Sequence, residues 1–228
     1  MFQQILFTQW KSFRMGMIPF VIAAFALPLL AVQGLGPVPE GYEGARVGLQ
    51  YLVASWQLWL PAFPALAVTV GATAALNAWS WDHKTDHIYA LSLPISRSRY
   101  AAWKMGAGAL LVLVPALGLL LGAIVASVSI DIPASVNAYP TALAVRFSLA
   151  SLLAYSVFFA LAAGTIRTTV IVLSSFMGMI ILTAIMTDYA SAVVPGFAFD
   201  FSAWLVESLL EWPGPFEVFS GNWSLIDV

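Results

Sequence analysis

The residues best equipped for chemistry lie together at positions 80–104, SWDHKTDHIYALSLPISRSRYAAWK. Asp82 and Asp86 are four apart, and so are His83 and His87. On a helix each pair shares one face. Two histidines at that spacing, with Asp86 beside them, suit a zinc ion. Lys84 stands where hydrolytic zinc helices carry a glutamate after the first histidine, so a polar helix is the simpler reading and no metal is assigned. Leu93-Pro94-Ile95-Ser96-Arg97 should break the helix, because proline disfavours helical geometry in the residue before it. Ser96 or Ser98 can cap a following helix that carries Lys104. Gly106-Ala107-Gly108 lacks the rest of a GxxxxGK[ST] phosphate loop, so the chain has no nucleotide cradle of its own. No histidine lies in an apolar stretch to ligate haem, and cysteine is absent. No cofactor is expected in this chain.

The elements that must position these residues are apolar. Of 228 residues, 61% are hydrophobic and 9% charged, and the mean hydropathy is +0.90. Soluble domains carry about 25% charged residues. A soluble enzyme and a disordered chain are therefore excluded, and a net charge of −2 gives no footprint for nucleic acid. Stretches free of Asp, Glu, Lys and Arg run 15–39, 47–81, 105–130, 147–166 and 168–187. Each can cross about 30 Å of hydrocarbon as a helix, which takes roughly 20 residues. The expected fold is an all-α integral membrane protein, a single transmembrane domain over 1–228. Its five spans fall at about 15–36, 52–79, 105–128, 146–166 and 168–187. Pro61 and Pro64 leave a second reading of 47–81, an interfacial segment followed by a shorter span from Ala62. Residues 1–14 read as an amphipathic interfacial helix. Residues 188–228 read as an external segment. In it Asp200, Glu207 and Glu211 share one face of an amphipathic helix ended by Pro213.

Five spans put Lys11, Arg14, Lys84, Arg97, Arg99, Lys104 and Arg167 on one side, and only Arg46 and Arg146 on the other. Basic residues are retained in the cytoplasm, so the N-terminus is expected inside, in a multi-pass protein of the cell (inner or plasma) membrane. With these boundaries no acid or base lies deep within a span, which argues against proton coupling or an ion channel.

Loop 80–104 also resembles one in a known family. An acid at Asp82, a short helix, the run Leu93, Pro94, Ile95, Ser96, Arg97, and Lys104 at the mouth of the next span look like the permease of type-2 ATP-binding-cassette transporters. In that family a glutamate commonly stands where Asp82 stands. The resemblance implies that this loop is a coupling helix docking on a separate cytoplasmic ATPase subunit. ATP and Mg would be bound by that partner and not by this chain. Asp82 and Asp86 would fix the helix or touch the ATPase, Leu93 and Pro94 would form its bend, and Arg97 and Lys104 would anchor it. It implies further a dimer with a second copy or a sibling. A path between them would be lined from the second and fifth spans, with Gln57, Asn77, Ser174, Ser175 and Thr183 as polar candidates. The family's sixth span is not found, and the chain is expected either to end outside or to be shortened.

The function expected is the membrane-spanning subunit of an ATP-driven exporter, embedded in membrane lipid. The alternative is a non-transporting accessory subunit of a larger membrane complex built on the same fold. Gly118 and Gly122, and Ala160 and Gly164, are small residues four apart, the spacing that lets helix backbones approach closely, with packing inside the subunit the simpler use.

Overall fold

A computed structural model describes residues 1–33, 60–85, 95–129 and 137–164. Beyond these it describes 167, 170, 171, 174, 175, 178, 204, 208, 211, 214, 216–220, 223 and 225–227. The chain is mostly helical. Helix α1 spans Phe2–Gln33, α2 Ala62–Lys84, α3 Arg97–Val128 and α4 Pro140–Ala162. Among the described residues these are the four helices long and apolar enough to cross a membrane. The expected fifth span, 168–187, lies almost wholly outside the described residues. The expected external helix contributes only Trp204, Ser208 and Glu211, all exposed.

The helix limits differ from the expected ones in three places. The lead-in 1–14 and the first span are one uninterrupted 32-residue helix containing Pro19 and Pro28. Proline inside an apolar helix is tolerated where neighbouring helices take up the freed backbone groups. Helix α2 starts at Ala62, directly after Pro61, the start named in the second reading of that stretch. It then runs on to Lys84, and α3 begins at Arg97, so the polar connection is shorter than 80–104 at both ends. Locally, nothing in Ser80–Lys84 opposes a helix, and the hydroxyl of Thr85 closes it on the carbonyl of Trp81 at 3.1 Å.

The chain divides into two compact units, Met1–Phe159 with Trp223–Val228, and Ala160–Asn222. In the first, α1 and α3 run side by side in the same sense. Val21 faces Gly118 and, one turn on, Phe25 faces Gly122. Helices α2 and α4 also run alike, with Gly71 against Ser151 and Tyr155, and Trp79 against Phe159. Glycine allows both approaches. A Cβ on Gly71 would lie 2.6 Å from the Tyr155 amide nitrogen, and one on Gly122 would run into the Phe25 carbonyl. The pair Gly118 and Gly122 thus packs within the chain.

The far end is closed by the C-terminal residues. Strand β1, Asn137–Ala138, pairs antiparallel with β2, Ile226–Asp227. This short bridge departs from a purely helical fold. Pro140 at the first position of α4 favours an extended residue before it, and the Tyr139 amide donates to Leu225 O at 2.8 Å. Trp223 is buried, stacked on Phe63 at 6.3 Å with the Arg146 guanidinium 5.6 Å from its ring. In the second unit, α5, Glu217–Ser220, is a single turn with Phe216 and Phe219 in ring contact.

Gly122→Val should therefore part α1 from α3 and cost roughly 1–3 kcal/mol in thermal unfolding in detergent, the usual range for overpacking. Gly106→Ala meets only the Phe2 ring at 3.6 Å and should be neutral or slightly stabilising.

Candidate functional site

The end of α2 and the start of α3 form the chemical centre of the first unit. Helix α2 carries Trp79 and Asp82 inward, three residues apart. Helix α3 carries Tyr100 and Lys104 inward, four apart and so on one face. Asp82 is fully buried, and Lys104 is only 4% exposed. The two form an ion pair, with Lys104 Nζ donating to Asp82 Oδ2. Tyr100 OH donates to both Asp82 oxygens, at 3.2 and 3.3 Å. Lys104 Nζ also lies 4.4 Å from the centre of the Trp79 ring and 5.1 Å from that of Tyr100, so the two aromatic faces share the cation.

An outer ring of contacts fixes these groups. Trp79 Nε1 donates to Phe159 O at 3.1 Å, which ties α2 to α4. Gln9 of α1 donates from Nε2 to Lys104 O at 3.2 Å, and Tyr155 OH of α4 donates to the same carbonyl at 3.4 Å. Gly108 makes room for Tyr155, whose hydroxyl would collide with any Cβ there. All four long helices therefore meet at one backbone carbonyl and one ion pair. Beside them Ser12 Oγ donates to Asn77 Oδ1 at 2.9 Å, joining α1 to α2.

The ion pair lies beyond the expected span limits but within the helices. Ending one span at 79 and starting the next at 105 left both charges outside. The helices extend past those limits and fold the charges onto each other. Asp82, buried to this degree, cannot also touch a partner protein, and of the two roles implied for it only that of fixing the loop is open. Lys104 lies between the helices and not at an open membrane face. Arg97, the first residue of α3, is exposed, and Ile95 is half-buried. Ser96 takes the N-cap position with extended backbone, but its hydroxyl makes no cap bond and instead lies 3.5 Å from that of Ser98.

Asp86, Leu93, Pro94, Gln57 and Thr183 lie outside the described residues, as does His87. Asn77 is half-buried and engaged by Ser12, while Ser174 and Ser175 are exposed in the second unit. Among the described residues no three His, Cys, Asp or Glu side chains gather as a metal site. Tyr100, Gln9 and Tyr155 were not singled out from the sequence. The one available signal was Tyr100 four residues before Lys104, a donor and a cation on one face opposite a lone acid. The chain matches no protein-family model, no curated protein and no solved structure.

The arrangement is chemically a clamp. Its acid, amine and phenol are turned onto one another. It holds two opposite charges out of solvent, each the other's main counterion. Breaking such a pair from one side leaves an uncompensated buried charge, a cost of about 3–5 kcal/mol, whereas apolar replacement of both is often close to neutral. Lys104→Met alone should thus lower thermal stability in detergent sharply. The double variant Asp82→Leu with Lys104→Met should recover most of the loss. Additive losses in the double variant would mean that the charges act independently.

Proposed function

We propose that the chain is the membrane-spanning permease subunit of an ATP-driven exporter, and that the connection between α2 and α3 docks on a separate cytoplasmic ATPase. The observation that carries this reading is the buried Asp82–Lys104 pair at the base of that connection. A loop whose two stems are locked together moves as one body. Force applied at its tip reaches α2 and α3 at once, and α1 and α4 through Gln9, Trp79 and Tyr155. A solvated linker serving only to join two helices would not need that lock.

The charge distribution supports the orientation. Lys11 and Arg14 flank Ser12, which bonds α2 near its end, and Lys84, Arg97 and Arg99 border the same connection. Arg146 lies at the opposite end of α4, against Trp223. An excess of basic residues marks the cytoplasmic end, so this end faces the ATPase and the N-terminus is inside a multi-pass cell-membrane protein. ATP and Mg would then be bound entirely by the partner, whose closure would draw the loops of two permease subunits together. The resulting shift between inward-open and outward-open states draws on the partner's differential contact with the two states.

Two measurements test this. Purification from native membrane in mild detergent, with mass spectrometry of the co-purifying chains, should recover an ATPase bearing a phosphate loop. A large assembly without one would overturn the reading in favour of an accessory subunit. Arg97→Glu reverses an exposed charge at the docking edge. It should cut the retained ATPase roughly tenfold without altering the elution of the permease itself. Undiminished retention would remove Arg97 from the docking surface.

A further inference from the structure

Helices α2 and α4 meet along a seam. Trp79 packs on Phe159 at one end and Gly71 on Ser151 in the middle, and the same offset sets Phe63 level with Leu143 at the other end. The near end is fastened by the helices themselves. Trp79 Nε1 donates to Phe159 O at 3.1 Å, and the Trp79 ring lies against the paired Lys104. The far end is fastened from outside the two helices. Trp223 lies 6.3 Å from Phe63 with the rings 15° from parallel, and 5.6 Å from the Arg146 guanidinium. It thus touches the first turn of α2 and the second turn of α4 at once. The pairs Asn137 with Asp227 and Ala138 with Ile226, and the Tyr139 amide on Leu225 O, hold the segment down. A two-stranded ladder this short has little stability of its own. The Trp223 stack and the burial of Leu225 therefore decide whether it stays.

Between the two fastenings the seam is imperfect. Ser151 is fully buried, and its hydroxyl has no hydrogen-bond partner. Ser148 and Ser156 on the same helix bond back to the carbonyls of Ala144 and Leu152, at 2.7 and 2.8 Å. A buried hydroxyl without a partner penalises the closed packing and gains by meeting water. Ser151 stands five residues past Arg146, roughly 7.5 Å along α4 from the far closure. At Gly71 the helices touch with no side chain of α2 interlocked.

We propose that Trp223 and residues 225–227 form a releasable latch on this seam. When it lifts, the far ends of α2 and α4 part about the Trp79–Phe159 contact, and water reaches the Ser151 hydroxyl. The latch itself rests on the packing of the first unit and not on any ATPase. Its use in export, as the opening that gives an outward-open state, rests on the proposed function.

The test is the rate at which a small water-soluble methanethiosulfonate modifies Ser151→Cys in the full chain in mild detergent, read at residue 151 by mass spectrometry. The chain has no cysteine of its own to compete. Adding Trp223→Ala should raise that rate roughly tenfold, as expected when a local opening becomes easier. Val112→Cys, as deeply buried but on α3, should keep its rate when Trp223→Ala is added. An unchanged rate at residue 151 would overturn the proposal. Equal acceleration at both positions would overturn it too, since Trp223 would then hold the whole unit together and not a seam. A second variant fixes the latch shut. Asn137 and Asp227 are partners in the ladder, and antiparallel partners stand about 4.5–5.5 Å apart at Cα, within reach of a disulfide. Closing a disulfide between Asn137→Cys and Asp227→Cys should slow modification at residue 151, and reduction should restore it. A rate indifferent to that disulfide would also overturn the latch.

Discussion

An acid and an amine buried between apolar helices tolerate no arrangement except one in which they meet. That constraint organises the first unit. A carboxylate at Asp82 and an ammonium at Lys104, each taken out of water singly, would cost more than any helix contact nearby returns. Paired, with Tyr100 on the carboxylate and Trp79 against the ammonium, they specify which turn of α2 faces which turn of α3. A slip of one residue along either helix would rotate a charge about 100° away from its partner. The pair thus sets register, the best attested use of buried polar groups in helical assemblies.

Backbone proximity is the second requirement, and glycine meets it. Gly71, Gly118 and Gly122 place helix backbones in contact, and Gly108 admits the Tyr155 ring. In hydrocarbon there is little hydrophobic gain from bringing helices together, so close packing and interhelical hydrogen bonds must supply the association. The Lys104 carbonyl, reached by both Gln9 and Tyr155, shows how the two effects combine. Small residues bring the helices close enough for side chains of α1 and α4 to bond the backbone of α3. The ion pair and the glycines consequently depend on one another: the charges fix the register at which the glycines face their partners.

Much of the architecture was legible because charge-free length is so direct a signal. The four long helices fall where the uncharged stretches do, and Gly118 and Gly122 pack where their spacing suggests. The helix ends were not legible. Ending spans at the first charge assumes that a charged residue ends its helix, and Asp82 and Lys104 break that assumption by pairing with each other between α2 and α3. Their pairing is a tertiary event between residues 22 apart, with no local periodicity to reveal it. Trp223 and Leu225 folding back to close the far end were equally unreadable, since burial there is created by α2 and α4 and not by the segment itself. Docking by loop 80–104 is what its resemblance to the type-2 permeases implies, not something its composition shows. The lock at its base, which gives that suggestion a mechanical basis, came only from the folded chain.

The central claim is that the Asp82–Lys104 pair makes the two stems of the connection a single rigid body. Pulsed electron spin resonance measures it most directly, using spin labels at Lys84→Cys and Ser98→Cys, both exposed positions in a chain without other cysteines. The clamp predicts one narrow distance distribution in the wild-type background, broadening markedly when Lys104→Met is added. A distribution already broad in the wild type, or one left unchanged by Lys104→Met, would contradict it.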